Sequence, residues 1–196
     1  MQPKIVGVLL DYGAKRKIKL DSIPSNLDQF YIVDQQGIGA ACNLALNLAF
    51  IKNKAEYCII LANDIVEPQD TLEVRLEAFK EPNMGIVTIP TENITGYANQ
   101  LAGNFMISKE VFNKIGYFTQ EWDTAGYGAI DLQYSYRAHL AGFKLKNVSR
   151  ALHLDNGDTA YGFSKKQVLK QTYPLYHQWR ANPILVYDRK GRPVAN

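Results

Sequence analysis

The stretch IILANDIVEP at residues 59–68 decides the fold, because an apolar strand there runs directly into an Asn-Asp pair. Together with the preceding Tyr57 and Cys58, these apolar residues predict a strand buried on both faces, which is typical of a parallel sheet. Asp64 then lies where the strand leaves the core, and open α/β sheets bind ligands just outside the carboxyl ends of their strands. A carboxylate there can hold a divalent cation, and the cation can hold phosphate oxygens. The simpler role of an isolated Asn-Asp pair is a turn or a helix N-cap, so the rest of the chain has to decide.

Length and composition predict one globular domain. The chain has 196 residues, of which 46% are hydrophobic and 21% are charged. Its net charge of +3 is too small to indicate a nucleic-acid binder and suits an anionic small ligand equally well. Cys42 and Cys58 lie in apolar segments, which predicts buried thiols in a reducing compartment. We find no signal peptide and no apolar run near the about 20 residues of a membrane helix, so we expect a cytoplasmic protein without an integral membrane segment.

Strands and helices alternate through the first ninety residues. Their predicted order is a strand at 5–10, a strand at 30–33, a helix opened by Gly37 and Gly39, a strand at 57–61, a surface helix at 71–80 and a strand at 84–89. This alternation predicts right-handed βαβ units, and therefore an α/β fold with a mostly parallel central sheet flanked by helices. The second half is less regular, with predicted strands at 105–107 and 148–154 and predicted helices at 109–115, 131–141 and 164–179.

Short motifs, each weak alone, follow one another along the chain in a characteristic order and spacing. They are the strand ends at Tyr12 and Asp34, GIGAACN at 37–43, LANDIVEP at 61–68, GNFMIS at 103–108, the helix from Asp131 to Arg137 with its trailing Ala141-Gly142, and His153. With these motifs the chain resembles a family 2 glycosyltransferase of the GT-A fold over about residues 4–180. The resemblance implies a single GT-A domain at 1–180, whose less regular second half faces the acceptor, and a C-terminal tail at 181–196.

The resemblance also implies which residues bind the donor and the metal. The implied nucleotide-sugar-binding residues are Asp11, Tyr12, Asp34, Asn43, Asn63 and Gly103. Asp64 and His153 are the implied ligands of a divalent metal, and an imidazole beside a carboxylate favours Mn²⁺ over Mg²⁺. We expect a nucleotide-sugar donor, with a UDP-sugar as the first choice. We also expect a transferred group of hexosyl or pentosyl type, and an acceptor that is a glycan, a lipid, a protein or a modified nucleic acid.

The expected chemistry is deprotonation of the acceptor hydroxyl by Asp131, at the start of a helix beyond a loop rich in glycine and aromatic residues. One base without a second carboxylate at nucleophile spacing favours a single displacement with inversion. An Asp in a first helical turn also stabilises the helix dipole, which is the structural alternative. Trp122 and Tyr127 in this loop could stack on sugar faces, or could equally pack the loop against the domain.

The chain departs from the family pattern at three positions. Ile130 stands in place of the Glu before the base, Gln133 in place of a later Asp, and Ala62 in place of the first metal-motif carboxylate. These departures leave open a catalytically impaired module that binds a nucleotide sugar or a glycan. A nucleotidyltransferase is a weaker alternative, because DYGAKR at 11–16 is a poor phosphate-binding loop.

Overall fold

The protein is described from a computed structural model, which covers residues 2–11, 23–24, 26–34, 37–68, 71–90, 104–122, 129–149, 151–153 and 165–194. Within these residues the main sheet contains β1 (Ile5–Asp11), β2 (Gln29–Asp34), β3 (Tyr57–Ala62), β5 (Met84–Ile89), β6 (Asn104–Ser108) and β7 (Lys144–Asn147). A separate two-stranded ladder pairs β4 (Ile65–Val66) with β8 (Leu152–His153). The helices are α1 (Ile38–Leu46), which continues as a π-helical stretch (Asn47–Lys52), α2 (Thr71–Ala78), α3 (Lys109–Ile115), α4 (Ile130–Leu140) and α5 (Lys165–Ala181).

The main sheet has the strand order β2-β1-β3-β6-β5-β7. The first three strands in this order run parallel to one another, β6 runs antiparallel to both of its neighbours, and β7 runs parallel to β5. The sheet is therefore mostly parallel and is flanked by helices, which confirms the α/β fold predicted from the alternating pattern.

The two faces of the sheet carry separate hydrophobic clusters, because alternate side chains of a strand point to opposite sides. On one face Val6 and Val8 pack in the cluster that contains Ala45 of α1, while on the other face Leu9 packs in the cluster that contains Leu72 of α2. Residues 5–10 of β1 are all buried, as expected for a strand covered on both faces. Cys42 and Cys58 are both buried and form no disulfide, which confirms the predicted buried thiols.

Two predicted elements differ in the structure. Of the strand expected at 148–154, the described residues form β8 at Leu152–His153, whereas β7 (Lys144–Asn147) precedes the expected range and was not predicted. The two strands are separate because β7 pairs with β5 in the main sheet and β8 pairs with β4 in the two-stranded ladder. The helix α2 is not a plain surface helix, since Arg75 lies fully buried on its inner side.

The segment that follows α5, up to residue 194, packs on the domain. Tyr187 is buried, and its carbonyl oxygen accepts a hydrogen bond of 3.2 Å from Tyr117 N. Gly116 (φ 70°) pairs with Tyr187, and a Cβ at Gly116 would lie 2.2 Å from the Tyr187 carbonyl oxygen. Only glycine fits this close approach, so the packing of the domain extends past residue 181. Within the described residues, no helix is both long and apolar enough to cross a membrane.

Candidate functional site

Polar residues meet at the carboxyl edge of the three parallel strands β2, β1 and β3. Asp11 and Asp34 are direct partners in the β1–β2 ladder, and Leu10 is the partner of Ala62 in the β1–β3 ladder. The Asn63-Asp64 turn therefore begins beside Asp11, because each of these pairs ends its strand at the same edge. This edge is where open α/β sheets bind their ligands.

Asn63 connects the ends of β1 and β3. Its side-chain Nδ2 donates a 2.8 Å hydrogen bond to Asp11 Oδ1. Its side-chain Oδ1 is buried and has no hydrogen-bond partner among the described residues. A buried acceptor without a donor is unfavourable, so Oδ1 is ready to accept from a bound ligand or to coordinate a cation. Asp64, the next residue, is also buried.

The ladder of β4 and β8 brings the backbone of His153 to the Asp64 turn. Ile65, the residue after Asp64, is the direct partner of His153 in this antiparallel ladder. The two implied metal ligands, Asp64 and His153, are 89 positions apart in sequence, yet their backbones lie in neighbouring parts of one small ladder and its turn.

The oxygen ligands at this edge are suited to a divalent cation that also binds the oxygens of a diphosphate. Within the part of the chain that the structure describes, no three or more His, Cys, Asp or Glu residues form a group that could hold a metal ion. Asp64 has a carboxylate, and Asn63 has an amide oxygen that no described residue hydrogen-bonds; both are oxygen ligands suited to hard cations. Phosphate-bound Mg²⁺ and similar ions typically take only one or two carboxylates from the protein, which matches this set.

The remaining implied nucleotide-sugar ligands have different surroundings. Asp34 is exposed at the end of β2. Asn43 is buried, and its side-chain amide forms two hydrogen bonds with the backbone of Phe118. Nδ2 donates to Phe118 O (3.0 Å), and Oδ1 accepts from Phe118 N (2.7 Å). These bonds hold α1 to the segment after α3, so we leave Asn43 out of the proposed site. Tyr12 and Gly103 lie outside the described residues.

Asp131 lies in the first turn of α4 and is half-buried. Its Oδ1 accepts a 2.8 Å hydrogen bond from Leu132 N, which is the helix-stabilising interaction expected of an N-terminal carboxylate. Burial raises the pKa of the Tyr176 hydroxyl, and the negative charge of Asp131 adds to this rise.

Trp122 belongs to a packed cluster on α5. Its ring is buried and lies 6.5 Å from the ring of Tyr176 and 6.0 Å from that of Trp179, in edge-to-face contact with both. Trp122 therefore has a packing role, and we do not retain this residue as one that stacks on the acceptor sugar. Tyr127, the other predicted acceptor residue, lies outside the described residues.

Three buried polar residues near the site were not predicted from the sequence. Glu67 and Arg75 form a buried ion pair just after the Asp64 turn, and Asn104 Oδ1 accepts a 2.7 Å hydrogen bond from Ala62 N at the end of β3. A signal for Arg75 was present, because it lies three residues from both Leu72 and Ala78, in the apolar stripe of α2. Asn104 adjoins Gly103 in the GNFMIS motif, but no local pattern marks its contact with β3.

Comparison of the sequence with family profiles gives no match, and comparison with curated proteins gives none either. The structure is similar to that of a mutant of the Drosophila β1,4-galactosyltransferase 7 in complex with manganese, UDP-Gal and xylobiose, with a TM-score of 0.61, 14% identity, and coverage of 84% of this chain and 78% of that chain. It is also similar to residues 1–349 of S. aureus TarS in complex with UDP, with a TM-score of 0.55, 14% identity, and coverage of 74% of this chain and 58% of that chain. The fold is therefore that of GT-A glycosyltransferases, and at identities this low the similarity shows the fold alone.

Proposed function

We propose that the protein is a glycosyltransferase, which moves a hexosyl or pentosyl group from a nucleotide-sugar donor to an acceptor hydroxyl. The observation that carries the proposal is the buried Asn63-Asp64 turn at the carboxyl edge of the parallel strands, with an amide oxygen that lacks a partner among the described residues. A diphosphate with its cation needs oxygen ligands and hydrogen-bonding groups at this kind of edge. The fold shared with two glycosyltransferases supports the same chemistry.

In this proposal the nucleotide lies over the ends of β1 and β2. The carboxylates of Asp11 and Asp34, which are ladder partners, accept hydrogen bonds from ribose hydroxyls and from a base N–H. Tyr12 and Gly103 stay in the proposed nucleotide site on the strength of their sequence motifs. We propose a UDP-sugar as donor, because the two similar structures were solved with UDP-Gal and with UDP.

We propose that Asp64, Asn63 and His153 hold a divalent ion. When bound, such an ion stabilises the negative charge that develops on the departing diphosphate. We propose Mn²⁺ over Mg²⁺, because an imidazole ligand favours the softer ion and because the similar galactosyltransferase structure contains manganese.

The proton of the acceptor hydroxyl goes to Asp131 in this proposal, and the hydroxyl oxygen displaces the nucleoside diphosphate in one step, with inversion. Asp131 is half-buried in the first turn of α4, a position from which a carboxylate can serve as base. Tyr127 remains a proposed acceptor contact. A glycan, a lipid, a protein and a modified nucleic acid are all acceptors that carry a suitable hydroxyl.

A second candidate function is a module that binds the nucleotide sugar with little or no transfer. The observation that favours it is Ile130, which is 1% exposed and packs with Trp122 and Tyr176 at the position where family 2 glycosyltransferases carry a Glu. Both candidates share the donor site and differ only in turnover.

We also propose that the protein works in the cytoplasm. Cys42 and Cys58 are buried thiols that form no disulfide, and such thiols are typical of proteins kept in a reducing compartment.

The test is a titration of the protein with UDP in Mn²⁺, in Mg²⁺ and in EDTA, followed by product analysis with a panel of UDP-sugars. We expect UDP affinity to depend on the metal, and Asp64→Asn to lose this dependence while it keeps the fold. Asp188→Asn is the matched control, because Asp188 pairs with Arg192 on an exposed turn of the C-terminal segment. Equal UDP affinity of the native protein in Mn²⁺ and in EDTA would contradict the proposal. Metal-dependent binding of every donor without any product would favour the second candidate.

A further inference from the structure

A buried ion pair lies directly after the Asp64 turn. The side chains of Glu67 and Arg75 are both 0% exposed. Arg75 donates from Nη1 to Glu67 Oε2 (2.7 Å) and from Nη2 to Glu67 Oε1, so the guanidinium and the carboxylate meet end-on through two hydrogen bonds. Thr71 Oγ1 donates a further 2.6 Å hydrogen bond to Glu67 Oε2. Both carboxylate oxygens of Glu67 are therefore held by α2.

Packing alone does not explain this pair. Removing two charges from water is expensive, and apolar side chains of similar volume often serve stability as well or better. Arg75 lies between Leu72 and Ala78 in the buried stripe of α2, where an apolar residue would fit the pattern. The contribution of the pair is positional, because a two-bond contact between guanidinium and carboxylate fixes both the distance and the relative orientation of the two side chains.

The position of Glu67 determines what this geometry controls. Glu67 is three residues after Asp64 and follows β4, whose partner strand contains His153. The turn is held at its other end by Ala62 N, which donates to Asn104 Oδ1. Leu72 anchors α2 in the same cluster as Leu61 of β3. Through Arg75 and Glu67, the core thus holds the far end of the segment that contains Asp64.

We propose that Glu67 and Arg75 are positioning residues, which hold the Asp64 turn in the conformation that binds the metal and the diphosphate. The inference rests on the proposed function. Partners that orient a metal ligand typically contribute about 10–100-fold to metal affinity. We therefore expect that loosening the pair weakens Mn²⁺ binding by about tenfold or more, and leaves the metal-independent part of UDP binding unchanged.

The experiment compares Glu67→Gln and Thr71→Val with Glu77→Gln. Glu67→Gln keeps the shape of the side chain and removes its charge. Thr71→Val removes one hydrogen bond and leaves the ion pair in place, so it reports on positioning even where Glu67→Gln fails to fold. Glu77→Gln is the matched control, because it removes the same charge from an exposed residue of α2, paired there with Lys80.

Three measurements are made on each variant: Mn²⁺ affinity by electron paramagnetic resonance, UDP affinity by calorimetry in Mn²⁺ and in EDTA, and thermal unfolding. We expect weaker Mn²⁺ binding in Glu67→Gln, a smaller loss in Thr71→Val, and native values in Glu77→Gln. Variants that unfold at lower temperature but bind Mn²⁺ like the native protein would show that the pair only stabilises the fold, which overturns the inference alone. A native protein whose UDP binding ignores Mn²⁺ overturns the proposed function and this inference with it.

Discussion

Replacing Arg137 by methionine should destabilise the fold strongly, because this fully buried guanidinium joins three separate segments. Nη1 donates to Ile115 O (2.9 Å) and to Leu185 O (3.0 Å), and Nη2 donates to Tyr117 O (2.7 Å). Ile115 O keeps a second donor, Tyr187 N at 3.3 Å, so the substitution takes the donor away from two carbonyls. Each buried carbonyl left without its donor costs about 1–3 kcal/mol.

Two further terms of opposite sign complete the estimate. The Arg137 guanidinium lies 4.4 Å from the ring centroid of Tyr187 and 4.9 Å from that of Tyr134, contacts worth about 0.5–2 kcal/mol each. Burial lowers the pKa of Arg137 from 12.5 to about 10, and this desolvation cost of roughly 3 kcal/mol disappears with the charge. We expect a net loss of about 3 kcal/mol, which in a chain of this length lowers the melting temperature by roughly 6–12 °C.

Urea unfolding followed by circular dichroism measures this loss. The matched control is Arg180→Met, since Arg180 lies 4.7 Å from the ring centroid of Tyr136 on the protein surface and its loss should change stability by less than about 0.5 kcal/mol. Arg137→Lys should fall between the two, because one ammonium group cannot reach three carbonyls. The reasoning is refuted if Arg137→Met is as stable as Arg180→Met.

Two predictions concern the proposed chemistry. Asp34→Ala should raise the donor KM more than it lowers kcat in steady-state assays, because a contact made equally in ground and transition states is lost; the opposite pattern would place Asp34 at the reacting atoms. Asp131→Asn should keep the native UDP affinity and reduce transfer by at least ~10²-fold, whereas full transfer activity in this variant would mean that another group is the base.

The fold was largely predictable because its main signals are local. The apolar runs that became β1, β3 and β5 mark strands buried on both faces, and such strands belong to a parallel or mixed sheet. Once the strands are known to be parallel, their carboxyl ends must meet at one edge. That Asp11, Asp34 and the Asn63-Asp64 turn lie at this edge therefore follows from the strand ends, whereas their direct neighbourhood is known only from the strand register.

Contacts between distant parts of the chain were not predictable, because no local pattern encodes them. Asn43 bonds to the backbone of Phe118, 75 residues away, and this partner determines what its amide does. Trp122 is buried because α5 supplies Tyr176 and Trp179, although the loop sequence fits a sugar platform equally well. Polar or aromatic side chains have several possible uses, and only the tertiary partners select among them.

The departure from the family pattern at Ile130 has its physical reason in the same cluster. Ile130 is 1% exposed and packs with Trp122 and Tyr176, so Ile130→Glu would bury a carboxylate among apolar side chains. Burial raises the pKa of such a carboxyl in the folded protein, whereas in the unfolded chain its pKa stays near the ordinary value of about 4.3. As the pH rises, the carboxyl therefore ionises in the unfolded chain before it ionises in the folded protein. The destabilisation should therefore be full at neutral pH and should fade as the pH falls toward that ordinary value.

Unfolding of Ile130→Glu and of the uncharged control Ile130→Gln, each measured at neutral and at mildly acidic pH, tests this account. At neutral pH we expect Ile130→Glu to be the less stable variant by several kcal/mol, the order of the cost of an unpaired buried charge, and the two variants to converge in acid. Transfer activity should not rise, because the introduced carboxyl lies in the cluster with α5. If Ile130→Glu were as stable as the native protein and transferred sugar faster, position 130 would face the reacting groups, and the cluster would not be the reason that this chain lacks the glutamate.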